Sequence, residues 1–305
     1  MNETNGARAP FRSGFVALVG RPNAGKSTLL NACLGEKLAI TSPVAQTTRR
    51  RMRAVVDLED AQLVIVDTPG LHKPKDALGA ELNRAALAEL SDVDVVAMLV
   101  DASAEVGRGD AWVAGHVAAC DARKVLVLTK ADLVGPDECL RQLEAARALC
   151  PFDDELVTSA AEGFNVDAFA ALVGRNLPEG PRWFPDGMRC DASDEELAAE
   201  FVREKVLLTC RQEVPHAVGV ACDAIERRRG GTTYVHATVM VERESQKAIV
   251  VGRGGRMVRR IGSAARRDLE RLFGGRVYLD LEVEVRPQWR RDPREVRRLG
   301  YGAED

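Results

Sequence analysis

Gly20-Arg21-Pro22-Asn23-Ala24-Gly25-Lys26-Ser27 sits between an apolar run, Phe15 to Val19, and a helix-like run that opens at Thr28. A strand, a glycine-rich loop and a helix in that order make a phosphate-binding loop. Gly20 and Gly25 let the backbone wrap until its N–H groups face the β- and γ-phosphates of a nucleotide. Lys26 brings them a positive charge, and the Ser27 hydroxyl is a ligand for Mg²⁺. The helix N-terminus at Thr28 adds its partial positive charge. The loop therefore predicts an α/β domain with nucleotide at the C-terminal edge of its sheet.

Outward from the loop, short apolar runs alternate with longer amphipathic ones as far as Pro178: Phe15 to Val19, Leu63 to Val66, Val93 to Val100, Val125 to Leu128, and Leu156 to Val157. Unbroken apolarity in runs this short predicts strands covered by helices on both faces, hence a mostly parallel sheet. Helices are announced by Gly135-Pro136-Asp137 ahead of Glu138 to Leu149 and by Asn165 ahead of Val166 to Leu177. The expected layout is a flexible arm over residues 1–13, a nucleotide domain over 14–178, a linker over 179–192, a second domain over 193–287 and a tail over 288–305. The linker assignment rests on the proline- and glycine-rich stretch from Pro178 to Gly187.

At 305 residues, with 46% hydrophobic and 29% charged side chains, the chain can build two cores. No stretch approaches the ~20 apolar residues of a membrane span. Met1 to Ser13 lacks the apolar centre of a signal peptide, so the expected location is the cytoplasm, with peripheral membrane contact left open. The seven cysteines form no CxxC pair, which argues for reduced structural thiols.

Asp67-Thr68-Pro69-Gly70 ends the Leu63 to Val66 run about forty residues after Lys26. Asp67 reads as a Mg²⁺ ligand through a water, and the Gly70 N–H as a sensor of the γ-phosphate. Thr129-Lys130-Ala131-Asp132 follows the Val125 to Leu128 run. The Asp132 carboxylate can accept from guanine N1–H and N2–H, which adenine cannot donate; polar mismatches of this kind give ~10⁴-fold discrimination. Lys130 lies along the base plane, and Thr158-Ser159-Ala160 offers a backbone N–H to the guanine carbonyl oxygen. The implied ligands are GTP or GDP with Mg²⁺. A metabolic P-loop kinase is poorly supported, since no acceptor site is evident.

After the linker, Ser193-Asp-Glu-Glu196 reads as a capping box for a helix to about Val214. Strands from Val218 to Glu226 and Tyr234 to Glu242, a short helix from Ala248 to Val251, a helix to Phe273 and a strand from Val277 to Val285 make an α+β domain. Gly252-Arg253-Gly254-Gly255 fits the GxxG loop of a KH domain, whose backbone approaches nucleic-acid phosphates. At 100° per residue, Arg256, Arg259, Arg260, Arg266, Arg267 and Arg271 share one helix face, while Val258, Ile261, Ala265, Leu269 and Leu272 share the other. Between Arg243 and Arg276 ten basic residues stand against three acids, a polyanion-sized excess in a chain of net charge -3. Asp268 falls beside the apolar stripe and is not explained by this scheme. Trp289 either stacks on a base or closes the core.

The order GRPNAGKS, DTPG, TKAD and TSA resembles the translation-factor branch of GTPases, and Gln46-Thr47-Thr48-Arg49 after Ile40-Thr-Ser-Pro-Val, together with the second domain, narrows the resemblance to the Era family, bacterial GTPases of small-subunit assembly, from about Phe15 to Tyr301. The resemblance implies an α/β P-loop GTPase domain followed by a type II KH domain, acting as a monomeric GTP-hydrolysing switch. Its partners would be the 3′ end region of 16S rRNA, the small ribosomal subunit and, peripherally, the inner face of the membrane. It makes Gln46-Thr47-Thr48-Arg49 the first switch, with Thr47 or Thr48 closing over Mg²⁺ and the γ-phosphate. Lys26, Thr47, Thr48 and Gly70 are then the catalytic set. It also implies K⁺ held through Asn23. RNA contact falls on Gly252, Arg253, Gly254, Gly255, Arg256, Arg259 and Arg260.

Two departures stand out. Thr129 replaces the family's asparagine, which implies weaker nucleotide binding with unchanged guanine preference. Leu71 follows Gly70 where Ras-like enzymes carry a water-orienting glutamine, which implies turnover no faster than ~10⁻³ s⁻¹. His72 reads as a solvated loop residue. The alternative is a constitutive RNA-binding protein with a structural guanine nucleotide.

Overall fold

The computed structural model describes residues 10–44, 47–49, 52–67, 70–71, 83–84, 86–211 and 213–299. The expected contacts at Thr68, Pro69, Gln46 and His72 lie outside these described residues. The chain divides into two compact units, Met1–Ala39 with Arg51–Asp191, and Ile40–Arg50 with Ala192–Asp305.

In the first unit, six strands stand in the order β2-β3-β1-β4-β5-β6. They are β1 Arg12–Gly20, β2 Met52–Asp57, β3 Ala61–Asp67, β4 Val95–Asp101, β5 Arg123–Thr129 and β6 Asp154–Val157. All neighbours pair in parallel except β2 with β3. Helices α1 Lys26–Leu34, α2 Arg108–Ala118, α3 Pro136–Arg147 and α4 Val166–Asn176 belong to this unit. β3, β4 and β5 are buried along nearly their whole length, which accounts for their unbroken apolar runs. β1 has β3 on one side and β4 on the other, so the loop after it opens where the strand order reverses. That is the crevice where open α/β sheets take ligands.

The antiparallel strand β2 was not among the apolar runs, because its core residues Met52, Ala54, Val55 and Val56 make a short group beside the arginine-rich stretch at Arg49 to Arg53. Two expected boundaries also differ. Arg12 and Ser13 are strand rather than arm: Ser13 is buried and its N–H donates to the Pro178 carbonyl at 3.0 Å. The proline-rich stretch packs on the first unit rather than spanning free. Trp183 and Phe184 N–H groups donate to Gln62 Oε1 at 2.8 and 3.0 Å, and Cys190 bridges Ala54. The linker thereby covers the outer edge of β2, which would otherwise expose unpaired backbone.

The second unit contains α5 Asp194–Thr209, α6 Val214–Ala217, α7 Glu244–Val251, α8 Arg256–Phe273 and α9 Pro293–Arg298, with strands β7 Gly219–Arg227, β8 Thr232–Val241 and β9 Arg276–Val285. β8 is central, antiparallel to β7 and parallel to β9. The Ser193 hydroxyl accepts from Glu196 N–H while Glu196 returns the bond, so α5 begins at the predicted capping box. It stops at Thr209 instead of Val214, where Cys210 turns to extended backbone. Val235, Ala237 and Val239 of β8 meet Phe201 and Val202 of α5 and Ile261, Ala265 and Leu269 of α8 in one core. Each fully buried Leu, Ile or Phe there contributes ~1.5–3 kcal/mol. Trp289 is 1% exposed, donates to the Ala217 carbonyl at 2.9 Å and packs with Ala221, Met240 and Leu299, so it closes a core and does not stack on a base.

Candidate functional site

At the end of β1, Asn23 and Gly25 take positive φ of 66° and 94°, and the backbone curls over the start of α1. Only a residue without a β-carbon adopts the Gly25 conformation at no cost. Lys26 is 6% exposed and turns back under the loop, donating to the carbonyls of Gly20 at 3.4 Å and Arg21 at 3.2 Å. Burial pushes the Lys26 pKa down to about 8, against the attraction of Asp67. An ammonium held this way, with its charge poorly solvated, favours an arriving polyphosphate. A β-carbon on Gly70 would lie 3.2 Å from Lys26 Nζ and 3.0 Å from the Pro22 backbone, so Gly70 faces the same cradle.

Ser27 Oγ donates to Asp67 Oδ2 at 3.2 Å. Two hard oxygens this close, one from α1 and one from the end of β3, suit Mg²⁺, which keeps several waters and needs only one or two protein oxygens. Ala24 is buried within the loop, and Thr28 is exposed on the first turn of α1. Arg21 does not point at phosphate. Its guanidinium pairs with Asp110 at 2.9 Å and anchors the loop to the first turn of α2, so only its backbone is left to the cradle.

Thr129 stands where the base loop meets the phosphate loop. The residue is 4% exposed, and its hydroxyl lies 2.8 Å from the Ala24 carbonyl and 3.1 Å from the Val100 carbonyl. Threonine therefore ties the base loop to the phosphate loop directly. Lys130, with φ 57°, reaches Asp101 Oδ2 at 2.6 Å. Burial raises the Asp101 pKa, but hydrogen bonds from Lys130 and Ser103 outweigh it and hold the carboxyl below its usual value. Asp132 is exposed and accepts from the Ser159 hydroxyl, leaving the rest of its carboxylate to a base. Ala131 N–H donates to the Thr158 carbonyl at 3.3 Å, joining the two base loops. Thr158 itself is fully buried and its hydroxyl donates to the Phe164 carbonyl at 2.7 Å, which makes it a support for Ser159 and Ala160.

The structure thus gathers Lys26, Ser27, Asp67 and Gly70 at one crevice. Thr47 and Thr48 belong to the second unit. Leu71 is fully buried in the core and its N–H donates to the Gly20 carbonyl at 3.2 Å, so its side chain has no access to a water. Asp101 and Asp110 were missed by sequence reading. The available signal was an acid closing an apolar strand run, and an acid in the first turn of a helix.

In the second unit, α7 and α8 meet at the glycine loop. A β-carbon on Gly252 would stand 2.6 Å from Met257 Cβ, so glycine is required there for the two helices to close up. Arg253, Arg256, Arg259, Arg260, Arg266, Arg267 and Arg271 are all exposed, with Ile261, Ala265 and Leu269 fully buried opposite. Arg266 and Arg271 pair weakly with Glu270 and Asp268. Among the described residues, Arg253, Arg256, Arg259, Arg260 and Arg267 form no ion pair. A solvated surface helix would intersperse acids, and this one presents cations to a polyanion.

Comparison with known proteins follows the same division. The family described as 50S ribosome-binding GTPase matches residues 15–130, and the KH domain family matches residues 213–290. A crystal structure of Era in complex with MgGDPNP and nucleotides 1506-1542 of 16S ribosomal RNA superposes with a TM-score of 0.91 at 36% identity, covering 96% of this chain and all of that one. A variant of Aquifex aeolicus Era bound to GDP and AlF4⁻ gives the same TM-score, 0.91, and identity, 36%, with the same coverage.

Proposed function

From a chain that belongs to the Era family of GTPases, we propose a switch that hydrolyses GTP, binds the 3′ end region of 16S rRNA and assists maturation of the small ribosomal subunit. The observation that carries this reading is the union, in one chain, of a nucleotide site with phosphate and base loops and an exposed arginine face with few acids behind a GxxG loop. Either half alone would leave the protein a nucleotide binder or an RNA binder.

Ser27 and Asp67 would hold Mg²⁺, whose positive charge polarises the phosphate oxygens when bound. Lys26 neutralises the β- and γ-phosphates from below, and the Gly70 N–H reports whether the γ-phosphate is there. Thr47 or Thr48 closes the first switch over it. Because Leu71 is apolar and buried, the attacking water is positioned by backbone, by a K⁺ held at Asn23, or by the RNA-bound state. Turnover is slow without RNA. On the second unit, the GxxG backbone and Arg253, Arg256, Arg259 and Arg260 grip about four single-stranded nucleotides. Ordering of the switches by the γ-phosphate changes how that grip is presented.

The test is RNA affinity in two nucleotide states. An oligonucleotide of the 16S 3′ end should bind at least ~10-fold more tightly to the complex with a non-hydrolysable GTP analogue than to the GDP complex, and should accelerate hydrolysis. Equal affinities with no stimulated turnover would mean a constitutive RNA-binding protein carrying a structural nucleotide.

A further inference from the structure

Residues 101–110, which lead from β4 into α2, carry none of the phosphate or base motifs, yet they grip both loops of the nucleotide site. At the base end Asp101 holds Lys130, and the Ala102 N–H donates to the Thr129 carbonyl at 2.9 Å. At the phosphate end stands Asp110, 1% exposed, with both carboxylate oxygens in use. Oδ1 lies 2.9 Å from Arg21 Nε, and Oδ2 accepts from the Gly107 N–H at 3.0 Å, which caps α2.

The stem of Arg21 is fitted as closely as its head. A β-carbon on Gly109 would stand 2.7 Å from Arg21 Cδ and 3.4 Å from Cγ, so the first turn of α2 takes the stem only because residue 109 has no side chain. Glycine is a weak helix former, and its place here answers to this contact rather than to propensity. The fit bears on phosphate through the backbone. The Arg21 carbonyl is one of the two acceptors that hold the Lys26 ammonium, at 3.2 Å, and it also accepts from the Ala24 N–H at 3.2 Å. Fixing the Arg21 side chain against α2 therefore fixes the loop carbonyl that aims Lys26. A ligand that meets groups already in place loses no affinity to ordering them.

We propose that Asp110 is a positioning residue for the phosphate end of the site: through Arg21 it holds the loop backbone, and with it Lys26, in the arrangement that receives the β-phosphate. The inference rests on reading this crevice as the guanine-nucleotide site. Because the base loop is held from the other end of the same connection, by Asp101, the effect of Asp110 is confined to ligands that carry a β-phosphate.

The experiment measures affinities of the full-length protein for GDP and GMP, by competition against a fluorescent GDP in Mg²⁺. Asp110→Asn keeps the shape and an acceptor for the Gly107 N–H but loses the charge that holds the guanidinium. It should weaken GDP about 10-fold and leave GMP within about twofold of wild type. Asp101→Asn, at the base end, should weaken both ligands by the same factor. Arg21→Met should weaken GDP selectively as Asp110→Asn does, and the double variant should be no more than about twofold worse than either single one, since the two side chains act as one unit. Gly109→Ala removes no charge and favours the helix; it should nonetheless lower the GDP-to-GMP affinity ratio at least ~3-fold by displacing the Arg21 stem, while Tm holds or rises. Equal weakening of GDP and GMP by Asp110→Asn would make the residue a helix cap only and overturn the proposal, as would an unchanged ratio in Gly109→Ala. Should Asp110→Asn not fold, Arg21→Met and Gly109→Ala decide it. Failure of the site reading looks different: the wild-type protein would bind neither ligand.

Discussion

Thr129→Val tests how the base loop and the phosphate loop act as one site. The substitution preserves volume and replaces with a methyl group the hydroxyl that lies 2.8 Å from the Ala24 carbonyl and 3.1 Å from the Val100 carbonyl. Ala24 is 2% exposed, so its carbonyl has no easy recourse to solvent. Leaving a buried acceptor unsatisfied costs about 1–3 kcal/mol. Because Ala24 lies inside the loop that must wrap the phosphates, the cost falls on the bound geometry. At ~1.4 kcal/mol per decade, the GDP dissociation constant should rise roughly 5- to 150-fold. Titration with a fluorescent GDP measures this directly. Thr129→Ser retains the hydroxyl and should stay within about threefold of wild type. Preference for GDP over ADP should survive in both, since Asp132 and Ser159 are untouched. A valine variant that binds GDP within twofold of wild type, or that loses guanine preference, would refute the brace.

Asp132→Asn should exchange guanine preference for xanthine preference, because the amide can donate to the carbonyl that xanthine carries in place of the guanine amino group; retained guanine selectivity in competition binding would overturn the base assignment. Gly254→Asp should fold, since nothing stands within 4 Å of the added β-carbon and Asp tolerates its φ of 62° better than most residues. The new carboxylate should nonetheless lower RNA affinity at least ~10-fold with GTP binding intact, and undiminished RNA binding would remove the GxxG loop from the interface. For Lys26, the nucleotide-free folded state titrates at about 8 against 10.5 for the free side chain. Between those values the unfolded chain binds more protons, so denaturant-measured stability relative to Lys26→Met should rise with pH by ~1.4 kcal/mol per unit and be flat below pH 8. A flat difference across that window would contradict the buried ammonium.

What could be read from the sequence was what lies in contiguous residues. The phosphate loop, Asp67, the Thr129 to Asp132 stretch and the arginine face of α8 each declare their chemistry within one turn or one strand end, where spacing alone fixes which atoms converge. β2 was hidden because its edge position needs only a short apolar group. The Pro178 to Gly187 stretch was read as free linker because proline content reports backbone stiffness, not the surface the chain lies on; its pairing with Gln62 depends on a strand more than a hundred residues earlier. Asp110 under Arg21 and Asp101 beside Lys130 are likewise long-range pairings, which no local pattern specifies. Thr129 shows the same limit: the tie of its hydroxyl to the Ala24 carbonyl spans more than a hundred residues and is visible only in three dimensions.

The first switch carries this furthest. Gln46 to Arg49 reads as a segment that can meet a phosphate and a metal, yet Thr47 and Arg49 are engaged within the second unit. Both statements follow from the same chemistry. A segment that moves between two partners must present donors and acceptors that each partner can satisfy, so its sequence cannot be specialised for one of them. A motif suggests a pairing with nucleotide, and the structure records the segment's pairing within its own unit. The buried charges Arg203, Glu204, Lys205 and Asp268 add little stability over apolar packing, and what their pairing across α5 and α8 supplies is the choice of one arrangement of the two helices over its competitors.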